Sequence, residues 1–217
     1  MAEDIARLQL FQSFVTPVER LSKGSDIDQN RLEWIENRLN HPPPTDTNEL
    51  ANLYNSAVSL TNNLDKKLDY CLRHFKPLEE TGHMTATKFI QHHIQIGDIF
   101  SEQVRFDDAL INYQIALQKA LGSKSTTNPL FGDCYYRIGF TSLKLEEFEK
   151  ALQYYKNALA IYYRSLPPTH LSFHKVYLAY GVCLANFNRY DEAMEYFQKA
   201  KTTHGHRTNL SCMTIDV

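Results

Sequence analysis

Apolar side chains recur along this chain at the spacing of one helix face. Within residues 47–76 they form two stripes separated by the polar pair Asn62-Asn63, which predicts a helix, a turn and a second helix. Pro77 should end or kink that second helix, because proline lacks the backbone N–H and its ring clashes with the preceding turn. The stripes consist of Leu50, Leu53, Tyr54 and Ala57, and of Leu64, Leu68, Cys71, Leu72 and Phe75.

Two further helices are predicted ahead of this hairpin. One covers about residues 3–21 and bends where Thr16-Pro17 interrupts it. The other covers about residues 26–40 and carries the apolar side chains of Leu32, Trp34, Ile35 and Leu39. The run His41-Pro42-Pro43-Pro44 is the clearest helix breaker in the chain. Residues 1–44 are therefore predicted to be an N-terminal helical extension.

The C-terminal part of the chain repeats itself with a period of 42 residues. Five columns keep their residue type through three copies: Gly97, Gly139 and Gly181; Phe106, Phe148 and Tyr190; Ala109, Ala151 and Ala193; Tyr113, Tyr155 and Phe197; Ala116, Ala158 and Ala200. Residues 45–84 fit this frame in part, but Lys67 and His74 stand where alanines would be. They form either a degenerate helical-hairpin repeat or a plain hairpin that caps the array.

The glycine and alanine columns indicate close contacts between helices. A glycine within a helix costs about 1 kcal/mol relative to alanine, so a repeated one suggests that another helix comes near. Each alanine lies twelve residues after its glycine, in a second helix. We therefore expect glycine to face alanine, which lets the two helix axes approach more closely than larger side chains allow.

The phrases that carry these columns resemble the tetratricopeptide repeat. The first helices contain Tyr135-x-x-Ile138-Gly139 and Tyr177-x-x-Tyr180-Gly181, and the second contain alanine followed four residues later by an aromatic, as in Ala151-x-x-x-Tyr155. The resemblance implies an all-α, right-handed α-solenoid of helix-turn-helix repeats. Three repeats would cover residues 85–203 (about 85–126, 127–168 and 169–203), and residues 204–217 would be a C-terminal tail.

The period of 42 residues exceeds the usual tetratricopeptide period of about 34. Longer repeats of this kind are similar to those of kinesin light chains, which have a longer connection with a His-Pro-like signal. Leu166-Pro167-Pro168-Thr169-His170 fits that connection. The N-terminal extension does not sustain the heptads of a long coiled coil, so the resemblance is limited to the repeats.

The first helices of such a stack line a concave groove. Side chains beside each glycine that do not face the second helix should point into it: Gln91, Ile94, Gln95, Asp98 and Ser101; Asp133, Tyr136, Arg137, Phe140 and Lys144; Lys175, Leu178, Val182 and Asn186. Tyr136 and Phe140 would be apolar anchors with basic neighbours, which favours an acidic-hydrophobic peptide as partner. The alternative is that both rings merely pack on the neighbouring first helices.

Two binding modes known in similar proteins are not expected here. A clamp for a C-terminal carboxylate needs Lys and Asn in the first helices, but Ile94, Gln95 and Asp98 stand where it would begin. The paired asparagines with which cargo-binding light chains hold a peptide are replaced by other residues, among them Tyr136 and Arg137.

Composition and charge narrow the function further. With 23 Lys and Arg against 25 Asp and Glu, the net charge of −2 gives no long-range attraction to nucleic acid or anionic lipid. No signal peptide or membrane span is recognisable, so a cytoplasmic location is expected. Cys71, Cys134 and Cys183 should be buried small apolar residues. The nine histidines form no recognised metal-ligand motif and no phosphate-binding loop occurs, which predicts no metal, no cofactor and no catalysis.

The sequence therefore predicts a non-catalytic protein-interaction module that holds a peptide or protein segment in its groove. The alternative is a self-associating structural subunit whose groove or C-terminal apolar face is filled by its own helices or by another copy. Residues 204–217 carry too few apolar side chains for a full capping helix. An uncovered apolar surface is expected at that end, serving as a homodimer contact, a partner site or the seat of the tail.

Overall fold

The computed structural model describes residues 26–40, 47–80, 84–122 and 128–212, and these residues contain nine helices and no strand. The all-α prediction is confirmed. The expected helix over residues 3–21 and the proline run lie outside the described residues. The helices are α1 (Asp26–Asn40), α2 (Thr47–Leu60), α3 (Leu64–Glu80), α4 (Ala86–Glu102), α5 (Phe106–Leu121), α6 (Pro129–Lys144), α7 (Phe148–Ser165), α8 (Leu171–Asn186) and α9 (Tyr190–Cys212).

Side-chain caps fix where several helices begin. The hydroxyl of Thr85 accepts from Lys88 N–H at the start of α4, and the amide oxygen of Asn128 accepts from Leu130 N–H at the start of α6. These caps satisfy N–H groups that have no partner within the helix. Pro129 is the first residue of α6, the one helical position where proline costs no hydrogen bond.

Helix α3 excludes one of the two outcomes expected of Pro77, an end of the helix at that residue. It continues through this proline to Glu80 instead of ending there. Its beginning is fixed by Asn63, whose side-chain oxygen accepts from the N–H groups of Asp65 and Lys66, and Tyr70 and Cys71 are buried in its middle. These interactions outweigh the local cost of a proline, which is about 3 kcal/mol.

Helix α9 corrects the expected end of the third repeat. It runs from Tyr190 to Cys212, so residues 204–212 continue the second helix and are not a separate tail. Helix elongation adds one backbone hydrogen bond per residue, so an extension of an existing helix avoids the cost of a new nucleus.

The hairpins stack in register. The second helices α3, α5, α7 and α9 begin at Leu64, Phe106, Phe148 and Tyr190, at intervals of 42 residues. The backbones of the first helices α4 and α6 approach each other, as do those of α6 and α8, whereas α5, α7 and α9 make no such approach among the described residues. The first helices therefore form an inner layer and the second helices a more widely spaced outer layer.

The N-terminal hairpin joins the array differently. Helix α3 packs on α4, but within the described part of the chain the backbone of α2 does not approach α4. A shared core still connects them, because Ala57 and Val58 of α2 cluster with Tyr70 and Cys71 of α3 and with Ile99 of α4. The prediction that Cys71, Cys134 and Cys183 are buried is confirmed.

The glycine columns accommodate aromatic rings, and not the alanines as expected. A Cβ atom added to Gly139 would lie 2.8 Å from the ring of Tyr155, and one added to Gly181 would lie 2.6 Å from that of Phe197. The ring of Tyr113 fills the same place at Gly97. Because the aromatic side chain points back along its helix, the ring and not the alanine reaches the glycine.

Each repeat turns between its helices through a left-handed residue. Val104, Glu146 and Asn188 have φ of 62°, 62° and 59°. After Val104, the N–H of Arg105 bonds Phe100 C=O at 2.8 Å, and the Val104 N–H bonds Ser101 C=O at 3.1 Å. This pair of bonds defines the Schellman motif, whose left-handed position is usually glycine.

Candidate functional site

The inner face is the exposed surface of α4, α6 and α8, and it carries the predicted groove residues. Gln91, Gln95, Lys144, Lys175 and Asn186 are exposed on it. The remaining predicted side chains are partly buried there: Asp98, Ser101, Asp133, Tyr136, Arg137, Phe140, Leu178 and Val182. The partly buried side chains are thus mixed, four of them apolar or aromatic and four polar or charged, while the exposed ones are polar.

Ile94 is the one predicted groove residue that does not belong to this surface. Its side chain is 6% exposed and packs with Ala116, Ala120, Phe131 and Cys134. Ile94 lies three residues before Gly97, which places it on the side of α4 that faces the second helix. The expectation that Ile94 lines the groove was wrong for this reason.

An ion pair joins the first two repeats at the inner face. Nη1 of Arg137 on α6 lies 2.9 Å from Oδ1 of Asp98 on α4, and the hydroxyl of Tyr113 on α5 donates to the same oxygen at 2.7 Å. Burial raises the pKa of Asp98, while Arg137 and Tyr113 oppose that shift by favouring the carboxylate. The Arg137 Nε atom is buried and has no hydrogen-bond partner among the described residues.

A second carboxylate is held in a similar way. The hydroxyl of Tyr162 on α7 donates to Oδ1 of Asp133 on α6 at 2.6 Å, and burial raises the pKa of that hydroxyl. The ring of Tyr162 lies against Gly132. This contact falls outside the repeated glycine column, so the sequence comparison missed it.

Aromatic rings lie side by side in the middle of the inner face. The ring centroids of Tyr136 and Phe140 are 6.2 Å apart, and those of Tyr136 and Tyr155 are 6.0 Å apart. Nζ of Lys144 lies 5.3 Å from the centroid of Phe140. Burial raises the pKa of Tyr136. Tyr136 also packs against the core formed by α7, α8 and α9. Its ring is thus both a packing element and part of the exposed surface.

The hydroxyl of Tyr155 is buried without a hydrogen-bond partner among the described residues. The equivalent hydroxyl one repeat earlier, that of Tyr113, reaches Asp98. One period after Asp98 stands Phe140, which cannot accept a hydrogen bond. The second repeat therefore replaces a polar contact by an apolar one.

Aromatic residues of the second and third repeats make contacts that the repeat pattern does not predict. The hydroxyl groups of Tyr163 and Tyr177 lie 2.6 Å apart, and the rings of Tyr180 and Tyr196 stack with centroids 4.3 Å apart. Nζ of Lys199 lies 4.5 Å from the centroid of Tyr196. Tyr177 and Tyr196 recur as Tyr135 and Tyr154 one period earlier, but Leu121 and Ile138 stand in place of Tyr163 and Tyr180, so the repeat alone does not predict these pairs.

Neither a metal site nor a membrane span is found in the described part of the chain. No group of three or more His, Cys, Asp or Glu side chains could hold an ion there. His93 instead pairs with Asn112 through Nδ1 at 3.1 Å, and the ring of His92 stacks on Phe75. None of the described helices combines the length and the apolarity needed to cross a membrane.

Comparison with known proteins identifies the type of repeat. Residues 132–163 and 174–202 match the family profile of the tetratricopeptide repeat. No curated protein sequence matches the chain.

Several solved structures share the fold at low sequence identity. The apo form of RapI superposes with a TM-score of 0.68 at 18% identity, covering 82% of this chain and 63% of its own. The Rap conjugation gene regulator of plasmid pLS20, in complex with the Phr* peptide, superposes with a TM-score of 0.61 at 16% identity, covering 81% of this chain and 49% of its own. MamA superposes with a TM-score of 0.56 at 16% identity, covering 84% of this chain and 91% of its own. The chain thus spans about half to two thirds of the two Rap chains. It contains tetratricopeptide repeats and folds as a helical solenoid of that type.

Proposed function

We propose that this chain is a non-catalytic interaction module that binds an extended acidic-hydrophobic peptide on its inner face. The observation that carries the proposal is the neighbouring rings of Tyr136 and Phe140, with Lys144 beside Phe140 and Arg137 beside Tyr136. Aromatic and arginine residues are enriched among those that dominate binding energies at protein interfaces. The pLS20 Rap regulator, a structure of similar fold, is in complex with the Phr* peptide, which supports a peptide as the partner.

The charges of the inner face favour acidic peptides. Lys144 and Lys175 are exposed there and neither takes part in an ion pair among the described residues. The two carboxylates are already engaged, Asp98 by Arg137 and Tyr113 and Asp133 by Tyr162. The cations therefore remain available for a partner, which raises the association rate and selects against basic peptides.

Fluorescence anisotropy with a designed pair of peptides tests this proposal. One labelled peptide alternates Glu and Leu, and the other has Lys in place of every Glu. We expect only the acidic peptide to bind, with an affinity that falls as salt is added. Binding of both peptides, or of neither, contradicts the proposed specificity.

Two variants localise the binding. Lys144→Glu with Lys175→Glu reverses the rim charges without touching a buried group and should abolish binding of the acidic peptide. Tyr136→Ala with Arg137→Ala should do the same while circular dichroism shows that the helices persist. The control is Gln153→Ala with Lys156→Ala, which changes two exposed side chains of the outer helix α7. Equal affinities for all three variants would place the site elsewhere.

The alternative, self-association through the C-terminal end, has one supporting observation. Tyr190 and Met194 of α9 are 41% and 52% exposed. Light scattering distinguishes the two candidates, because a dimer would exceed the chain mass of 25.2 kDa at micromolar concentration.

The 42-residue intervals between second helices also support our proposal that these repeats belong to the kinesin-light-chain-like class. A cytoplasmic location is part of the same proposal.

A further inference from the structure

Helix α1 stands in the array as the second helix of a hairpin whose first helix is not among the described residues. Four hairpins, α2–α3, α4–α5, α6–α7 and α8–α9, each pair a second helix with the first helix that precedes it. Helix α1 packs on α2, the helix that follows it, and the described residues include no helix before it. One further period of 42 residues before Leu64 falls at residue 22, close to the start of α1 at Asp26.

Burial along α1 is uneven. Ile35 and Leu39, toward its C-terminal end, are 3% and 9% exposed and pack in the core with α2 and α3. Trp34, the adjacent residue, is 62% exposed. Helix α5 shows the complete arrangement, in which Ala109 and Tyr113 of its first half are buried as well as the alanines of its second half.

A groove lies between α1 and α2. It has a volume of about 400 Å³ and is lined by residues of both α1 and α2: Asn30, Arg31, Trp34, Ile35, Leu53 and Ser56. A first helix in this array touches its own second helix and the next first helix, as α4 touches α5 and α6. The Trp34 groove is therefore bounded by the two helices that such a first helix would contact.

The preceding chain has the length and pattern to fill this groove. First helices of 16 or 17 residues followed by three-residue turns are typical of this array, and 25 residues precede α1. Ahead of the bend expected at Thr16-Pro17, Phe11, Phe14 and Val15 fall at i, i+3 and i+4, the spacing of one apolar helix face. We propose that residues 1–25 supply the first helix of a further hairpin, antiparallel to α1, and insert this apolar face into the Trp34 groove.

Trp34 reports directly on this contact, because it is the only tryptophan in the chain. In the full-length protein its fluorescence should be blue-shifted and resistant to acrylamide quenching. The double variant Phe11→Asp with Phe14→Asp should shift the emission to the red and increase quenching. The control, Gln9→Asp with Ser13→Asp, adds the same charge to the opposite side of the same helix and should leave Trp34 protected.

Three results would overturn the inference. Solvent-exposed emission in the unaltered chain would mean that nothing covers the groove. Equal emission from the two double variants would mean that the apolar face is not involved. A blue shift that disappears on dilution would identify a second copy as the occupant. A photo-crosslinker at Ser56, with residues 1–25 unaltered, adds a measurement that does not depend on the variants folding: it should join to residues 1–25 within one chain, and crosslinks formed elsewhere would refute the proposal.

Discussion

Replacing Val104 by asparagine should stabilise the protein. Val104 sits at the left-handed position of the first Schellman turn with φ of 62°. A left-handed conformation costs an L-residue about 1–2 kcal/mol, and a β-branched side chain tolerates it poorly. Asparagine adopts this conformation more readily, because its short polar side chain can bond locally.

The expected gain follows from two opposing terms. Val104 is 69% exposed, so its removal sacrifices less than half of the roughly 1.5–3 kcal/mol that full burial of such a side chain contributes. Relief of the backbone conformation should outweigh this loss, which leaves a net gain of up to about 1 kcal/mol and a rise in Tm of up to about 2–4 °C for a chain of this size. Glycine should gain less than asparagine, because it also increases the entropy of the unfolded chain.

Urea and thermal unfolding followed by circular dichroism measure this change. Two matched variants test the reason for it. Asn188→Val introduces valine at the same position of the third repeat, where φ is 59°, and should destabilise the protein. Ile111→Asn makes a similar apolar-to-polar change at a 54% exposed site within α5 and should not stabilise it. A Val104→Asn protein with an unchanged or lower Tm would refute the reasoning.

Three further predictions concern buried contacts. Tyr113→Phe should lower the free energy of unfolding by about 0.5–1.5 kcal/mol or more, because it removes the hydrogen bond to Asp98. Tyr155→Phe should leave it unchanged, because the Tyr155 hydroxyl has no partner among the described residues. Equal losses for the two variants in urea unfolding would contradict this. Gly132→Ala should destabilise by about 1–3 kcal/mol through contact with the Tyr162 ring, and Gly122→Ala, where a Cβ would meet its nearest atom at 3.6 Å, should not. Burial lowers the pKa of His92 to about 3, so between pH 6.5 and pH 3 the unfolded chain binds a proton that the folded chain does not bind. The free energy of unfolding should therefore fall by about 1.4 kcal/mol per pH unit as the pH drops from 6.5 towards 3. His92→Phe should reduce that slope when denaturation is measured at several pH values.

The repeat architecture could be predicted because its determinants recur within one short sequence window. Glycine in a first helix and an aromatic residue sixteen positions later mark each hairpin, and the structure brings Gly139 and Tyr155 into contact. The expectation that alanine faces the glycine is wrong, because position along the helix does not include the direction in which the long aromatic side chain points. Gly132 escaped notice since it has no counterpart in the other repeats.

The polar contacts of the inner face could not be predicted from spacing alone. Asp98 and Arg137 are 39 residues apart in different repeats, and their pairing depends on how closely α4 and α6 stack. The burial of Ile94 likewise depends on which side of α4 meets the second helix. Pro77 shows the reverse case, where a strong local signal is overridden by the packing of the whole helix.

Under the proposed function, the pair formed by Asp98 and Arg137 would make peptide binding on the inner face selective through competition. Asp98 is a carboxylate permanently tethered beside the guanidinium, at 2.9 Å. An incoming acidic side chain that seeks Arg137 must displace this internal rival or share the cation with it, and a tethered group acts at a high effective concentration. Isolated acidic residues from unrelated proteins are therefore poor competitors. A segment that also covers Tyr136 and Phe140 gains the additional binding energy needed to open the pair.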